Sequence, residues 1–148
     1  MAELPVPELS VVIPVFDEGE TVQKVYEGVR ETFGKDCEIL FIDDGSRDST
    51  RDTISGLLKD DPALRLIAFH CNHGKSEALG VGFRRARGRL VATLDGDLQD
   101  DPGELPRLVE KIEQGYDLVV GWRRRRRDEL FKVYGSRVFN TLAGWLGG

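Results

Sequence analysis

Asp95 and Asp97 are the residues best suited by type and spacing to do chemistry. They follow directly after an apolar run, residues 90–94, and one glycine separates them. Alternate residues of a strand share a face, so we expect both carboxylates to point the same way, with Gly96 leaving room between them. Such a pair repels unless a cation lies between the carboxylates or one is protonated. Oxygen ligands of this kind suit Mg²⁺ or Mn²⁺ bound together with substrate phosphates.

The same stretch also fits an acidic turn that leads into a helix. In that interpretation Asp101 is the N-cap and Pro102 is the first helical residue. The two interpretations are compatible, because they concern different residues. The place of the Asp pair at the carboxyl end of a strand favours a metal–diphosphate site, since open α/β sheets bind ligands there.

The elements that must position this pair alternate along the chain. Apolar, β-rich runs predict five buried strands, at residues 9–15, 37–42, 64–69, 89–94 and 116–121. Helical spacing or capping signals predict helices between them, including residues 21–33 and 102–114. This alternation predicts an α/β fold, a mostly parallel sheet with helices on both faces.

Four of the predicted strands end in polar loops. These loops are residues 16–18, 43–46, 73–75 and 95–97. The carboxyl ends of parallel strands share one edge of the sheet, so the loops should converge on one ligand.

Composition limits the class of protein. The 148 residues suffice for one domain, which we place at residues 9–148 after an N-terminal arm, residues 1–8. The net charge of −5 argues against a nucleic-acid binder. Neither a secretory leader nor a membrane-spanning run is expected. Cys37 and Cys71 do not form a disulfide framework, and Cys37 is expected to be a buried free thiol.

The loop around Lys75 is not an ATPase P-loop, although it begins similarly. The Walker pattern requires a glycine five residues before Gly74, and Phe69 stands there. Gly74 and Lys75 at a helix start can still contact an anion; the alternative is a surface lysine in a first helical turn.

The acidic pair Asp43 and Asp44 suits a nucleoside, because a carboxylate accepts hydrogen bonds from a base N–H or a ribose hydroxyl. The alternative is an Asx-turn with helix capping, a role that fits Asp43 better than Asp44. Phe16 either packs on the base or joins the core.

Four segments occur in an order and spacing that resemble the family 2 inverting glycosyltransferases of GT-A fold. They are residues 12–18 (VIPVFDE), 42–50 (IDDGSRDST), 74–79 (GKSEAL) and 95–102 (DGDLQDDP). Within that family, the sequence resembles the dolichyl- or polyprenyl-phosphate sugar synthases. The resemblance covers about residues 9–146.

The resemblance implies a role for each matching residue on the donor side. It implies that Pro14, Phe16, Glu18 and Asp44 line the nucleotide pocket and that Asp95 lies near the ribose and diphosphate. Asp43 and Lys75 join the predicted nucleotide-binding residues on the chemistry given above. Asp97 and Asp95, the catalytic pair, would hold Mg²⁺ or Mn²⁺ against the diphosphate, with Gln99 nearby. The metal would neutralise the leaving nucleoside diphosphate. Asp17 departs mildly from the family's usual Asn.

On the acceptor side, the resemblance implies that Arg123, Lys132 and Ser136 grip a lipid phosphate. A phosphate is already ionised near neutral pH, so the absence of an obvious catalytic base fits this acceptor. Members of this family continue beyond the position of Gly148, so we expect the chain to be truncated at its C terminus; the alternative is a minimal protein.

A basic run at residues 123–127 precedes an apolar stripe within residues 129–146. The stripe either packs on the core or forms an interfacial helix that meets an anionic membrane, at the cytoplasmic face. If the stripe is exposed, it could also drive homodimerisation.

The predicted function is therefore transfer of a hexose from UDP- or GDP-hexose to a polyprenyl phosphate, with inversion. The alternatives are a family 2 transferase that acts on a saccharide hydroxyl, and an inactive fragment that binds a nucleotide sugar.

Overall fold

Strands and helices alternate along residues 6–121, the part of the chain that the computed structural model describes. The strands are β1 (Leu9–Val15), β2 (Cys37–Asp43), β3 (Leu64–Ala68) and β4 (Leu90–Thr93). The helices are α1 (Val22–Phe33), α2 (Thr50–Leu57), α3 (Lys75–Arg85) and α4 (Leu105–Glu113), and a 3₁₀ turn, Pro102–Glu104, precedes α4. These bounds confirm the first four predicted strands and the helices to within a few residues.

The strands form one parallel sheet in the order β3-β2-β1-β4. The central strands β1 and β2 are buried along their whole length, as their continuous apolar sequences predict. Alternate residues of β1 face opposite layers: Ile13 packs in the cluster that contains α1 and α2, while Val12 packs against α3. The sheet therefore has helices on both faces, which confirms the predicted fold class.

Pro14 ends pairing on one side of β1 only. The ladder between β1 and β4 stops at the pair Val12↔Thr93, whereas the ladder between β1 and β2 continues to Val15↔Asp43. On the β4 side, the Val12 carbonyl oxygen accepts from the Leu94 N–H. Residues two apart in a strand direct their backbone groups to the same neighbour, so Pro14, which has no N–H, cannot donate to the β4 side. The chain after β4 is thereby free to diverge from β1 and open a cavity at the carboxyl edge.

The predicted fifth strand, residues 116–121, is wrong. Within the described part of the chain this segment has no strand pairing, and Leu118 and Val120 are 79% and 78% exposed. An apolar run predicts burial, but a strand also needs a neighbour with which to exchange hydrogen bonds. The segment instead borders an apolar groove beside β4.

The predicted start of the last helix is confirmed. The carboxylate of Asp101 accepts from the Gly103 N–H at 2.9 Å, and Pro102 is the first residue of the 3₁₀ turn. At the start of α2, the Asp48 carboxylate accepts from the N–H of Thr50, the first residue of that helix, at 2.9 Å.

Candidate active site

The polar loops converge, as predicted, on one cavity of about 330 Å³ at the carboxyl edge of the sheet. Its lining includes these predicted site residues: Pro14, Phe16, Glu18, Asp44, Lys75, Asp95 and Asp97. Asp43 and Gln99 do not border it. A cavity of equal volume at the opposite edge, beside Cys37, contains none of the predicted site residues.

Glycine between the two aspartates allows a close approach of the first loop. A Cβ at position 96 would overlap Glu18 Oε2 and would lie 2.8 Å from Val15 Cγ1. The Gly96 carbonyl oxygen accepts from the hydroxyl of Thr21 at 2.7 Å. Residue 96 is therefore fixed between β1 and the start of α1, and both flanking carboxylates reach the cavity.

Glu18 adds a third carboxylate to the pair, and we call Glu18, Asp95 and Asp97 the carboxylate cluster. Glu18 Oε2 is buried and has no hydrogen-bond partner within residues 6–121. Burial, followed by the negative charges of Asp97 and Asp95, raises the pKa of Glu18 from 4.5 to about 7. The cluster therefore needs either a proton or a cation to be stable.

Lys75 supplies one cation to the cluster. Its Nζ lies 2.6 Å from Asp95 Oδ1, and its charge lowers the pKa of Glu18, against the other influences. Lys75 is the first residue of α3, and Gly74 before it has a φ of +96°, a conformation that favours glycine. The start of α3 and the Lys75 ammonium therefore border the same cavity, which suits an anion such as a diphosphate.

The two neighbouring aspartates at the end of β2 differ in their contacts. Asp44 borders the cavity and accepts from the backbone N–H groups of His73 and Gly74 at 2.7 and 2.8 Å. Asp43 is fully buried and forms an ion pair with Arg51 at 2.8 Å. Asp44 thus fixes the start of α3, while the contacts of Asp43 are structural. The nucleotide-binding role of Asp43 stays a prediction.

Reciprocal hydrogen bonds tie the loop after β1 to the loop after β2. Asp17 accepts from the Arg47 N–H at 2.7 Å and donates its own N–H to the Ser46 hydroxyl at 2.9 Å. The Glu18 N–H donates to the Thr50 hydroxyl at 2.8 Å. Asp17 has a φ of +52°, a conformation that Asn and Asp tolerate better than most residues. This accounts for Asp at position 17 and for the family's usual Asn there.

Sequence reasoning missed Thr21 and Asn72. Thr21 is the residue before α1, and its hydroxyl bonds across to Gly96; Asn72 borders the cavity between β3 and α3. The only signal in the sequence was position: a Thr before a helix and an Asn in a loop at the carboxyl edge.

The carboxylate cluster fits a divalent metal that is shared with a ligand. Among residues 6–121, no group of three or more His, Cys, Asp or Glu side chains is arranged to hold a metal ion alone. Mg²⁺ typically takes only one or two protein carboxylates and completes its coordination with substrate phosphates and water. The unpartnered Glu18 Oε2 beside two further carboxylates is consistent with this kind of site. Gln99, the third predicted ligand, borders a neighbouring cavity with Asp95.

The predicted acceptor residues Arg123, Lys132 and Ser136, and the amphipathic stretch 129–146, lie outside the described residues. Their roles stay predictions. Of the helices between residues 6 and 121, none combines the length and the apolar character that a bilayer crossing requires.

Residues 10–144 match the model of the family described as glycosyl transferase family 2. The chain is 39% identical over 142 residues to the undecaprenyl-phosphate 4-deoxy-4-formamido-L-arabinose transferases of Salmonella paratyphi B and Salmonella newport. The match covers 93% of this chain but only 43% of each relative, so the chain spans less than half the length of these curated relatives.

Solved structures share the fold. The mannosyltransferase PcManGT of Pyrobaculum calidifontis, in complex with GDP-Man and Mn²⁺, superposes with a TM-score of 0.69 at 24% identity, over 82% of this chain and 37% of that one. TarS of S. aureus, in complex with UDP-GlcNAc, gives a TM-score of 0.65 at 18% identity, over 82% and 37%. At these identities the likeness establishes the fold, which agrees with the GT-A prediction.

Proposed function

Because the chain belongs to glycosyl transferase family 2, we propose that it transfers a sugar from a nucleoside diphosphate sugar to a polyprenyl phosphate, with inversion. We expect the sugar to be a hexose and the nucleotide to be UDP or GDP. The acceptor class rests on the names of the relatives, which act on undecaprenyl phosphate. We further propose that the protein works at the cytoplasmic face of a membrane, because the acceptor is a lipid.

One observation carries this proposal: four loops converge on a single cavity that is lined by the carboxylate cluster and the ammonium of Lys75. Phe16 is 42% exposed at this cavity, so its ring is accessible to a base, and Asp44 is close enough to accept from a base or ribose. Asp97 and Asp95 border the same cavity and would hold a metal–diphosphate there. A site for a nucleotide sugar accounts for all of these residue types together.

Inversion at the anomeric carbon corresponds to a single displacement. A phosphate oxygen of the acceptor attacks the anomeric carbon, the bond from that carbon to the β-phosphate oxygen breaks, and the nucleoside diphosphate leaves with the bonding electrons. A divalent metal on Asp97 and Asp95 would supply Lewis-acid stabilisation of the leaving diphosphate. Lys75 would place an ammonium beside the same phosphates, and the start of α3 would offer them its N–H groups.

Calorimetric titration of the chain with UDP and with GDP, each with and without Mn²⁺, tests the donor site. We expect metal-dependent binding of one of the two. If a folded chain binds neither nucleotide, the proposed function is refuted for this chain.

Transfer assays with undecaprenyl phosphate and with a saccharide acceptor test the second half of the reaction. Transfer to the lipid phosphate supports the proposal, whereas transfer to a sugar hydroxyl supports a saccharide-directed transferase. Nucleotide binding without transfer to either acceptor supports a binding fragment. Lys132→Ala should weaken binding of the lipid phosphate and leave nucleotide binding unchanged; an equal loss of both contradicts its assignment to the acceptor.

A further inference from the structure

Lys75 makes a contact with Asp95 that its proposed role at the phosphates does not require. Its ammonium lies directly on Asp95, one of the residues expected to hold the metal, at an Nζ–Oδ1 distance of 2.6 Å. The positive charge of Lys75 also lowers the pKa of the Glu18 carboxyl, which Asp97 and Asp95 raise. An ammonium is therefore resident in the carboxylate cluster of the ligand-free chain.

The start of α3 is held in place from the opposite side of the cavity. Both carboxylate oxygens of Asp44 accept backbone N–H groups, from His73 and from Gly74, immediately before Lys75. The backbone at Lys75 is thus fixed relative to the sheet, while its side chain remains 59% exposed and can change partners. The side chain can therefore swing between Asp95 and a ligand in the same cavity without movement of the helix.

We infer that Lys75 competes with free divalent metal for the carboxylate cluster, so that metal binds together with the nucleoside diphosphate and not before it. This inference rests on the proposed function for the identity of the ligand. A cation that approached the cluster alone would meet the ammonium on Asp95 and would find no complete set of protein ligands among the described residues. A diphosphate provides oxygens for the metal and a new partner for Lys75, whose ammonium then no longer competes with the metal at Asp95.

The inference predicts that Lys75→Met strengthens the binding of Mn²⁺ alone and weakens the binding of nucleotide. This substitution keeps a side chain of similar length and removes the charge. Mn²⁺ alone should bind Lys75→Met about fivefold more tightly than the unsubstituted chain, the scale expected for an exposed ion pair. The nucleotide that binds the unsubstituted chain, UDP or GDP, should bind Lys75→Met about fivefold more weakly in the absence of metal.

Binding of Mn²⁺ alone can be followed by electron paramagnetic resonance of the free ion, which reports weak affinities directly. Lys75→Arg keeps the charge and should bind Mn²⁺ as weakly as the unsubstituted chain. Lys59→Met removes an exposed lysine at the end of α2 and should change neither affinity. Adding Asp97→Asn to Lys75→Met should abolish the gain, which places the extra Mn²⁺ in the cluster.

Unchanged or weaker Mn²⁺ binding by Lys75→Met overturns the inference. So does a gain that survives Asp97→Asn, because the ion would then be bound elsewhere. These outcomes are separate from failure of the proposed function, which would appear as absence of nucleotide binding by the unsubstituted chain in the presence of Mn²⁺.

Discussion

The carboxyl group of Glu18 should make the stability of the ligand-free chain fall as pH rises, and Glu18→Gln should remove that dependence. Glu18 is partly buried, its Oε2 has no hydrogen-bond partner, and two aspartates lie nearby. Ionisation of Glu18 in the folded chain is therefore unfavourable, whereas in the unfolded chain it is not. A neutral amide at this position avoids the cost at every pH.

The sign follows from proton linkage. Burial and the nearby charges raise the pKa of Glu18 from 4.5 to about 7, so between these pH values the folded chain retains a proton that the unfolded chain has released. Stability is then fully present below pH 4.5 and is lost as pH rises through about 7. Integrating this difference gives a loss of about 2.5 kcal/mol between about pH 5 and pH 8. That is a large part of the roughly 5–15 kcal/mol that stabilises an ordinary domain.

The assay is urea unfolding in metal-free buffer with a chelator, at several pH values between about 5 and 8. The difference in unfolding free energy between Glu18→Gln and the unsubstituted chain should grow by about 2.5 kcal/mol over that range. Glu31→Gln, at an exposed position on α1, should show no such growth. A difference that stays constant with pH would refute the argument, because Glu18 would then have the same pKa in both states.

Three further substitutions test the loops around the same cavity. Asp97→Asn should remove the effect of Mn²⁺ on UDP or GDP affinity in calorimetry; an unchanged metal effect would exclude Asp97 as a ligand. Thr21→Val removes the hydroxyl that donates to the Gly96 carbonyl and should weaken metal-dependent nucleotide binding about fivefold, on the scale of one hydrogen bond, whereas Thr21→Ser should restore it. Equal affinity of the two Thr21 variants would show that the bond does not position the aspartates. Gly96→Ala should lower the free energy of unfolding by about 1–3 kcal/mol, because its Cβ would displace the Glu18 carboxylate and would lie 2.8 Å from Val15 Cγ1 in β1. Gly56→Ala, which has open space around it in α2, should be neutral or stabilising in the same urea titration.

The parallel sheet could be predicted from sequence because its signals are local. β1 and β2 are continuous apolar runs, and strands of this kind are buried on both faces, so helices on both sides follow. The polar loops after them then had to meet at one edge. The sequence alone therefore predicts that Asp44, Lys75 and the Asp95–Asp97 pair meet at a single site.

The segment 116–121 shows where local signals fail. Its apolar residues resemble a strand, but pairing depends on a neighbour that the pattern of one segment cannot specify. The same limit applies to Pro14. A proline in β1 predicts that strand pairing ends near it. Only the register shows that pairing with β4 ends while pairing with β2 continues to Val15.

The sequence by itself determined the order of elements from β1 to α4, the edge of the sheet that carries the site, and the family. Tertiary structure decided which polar groups meet. Asp43 and Asp44 are adjacent, yet the alternation of strand faces sends one to Arg51 and the other to the start of α3. Glu18 lies against Gly96, and Lys75 against Asp95, across gaps of 78 and 20 residues. Such contacts depend on distances in space, which no spacing along the chain encodes.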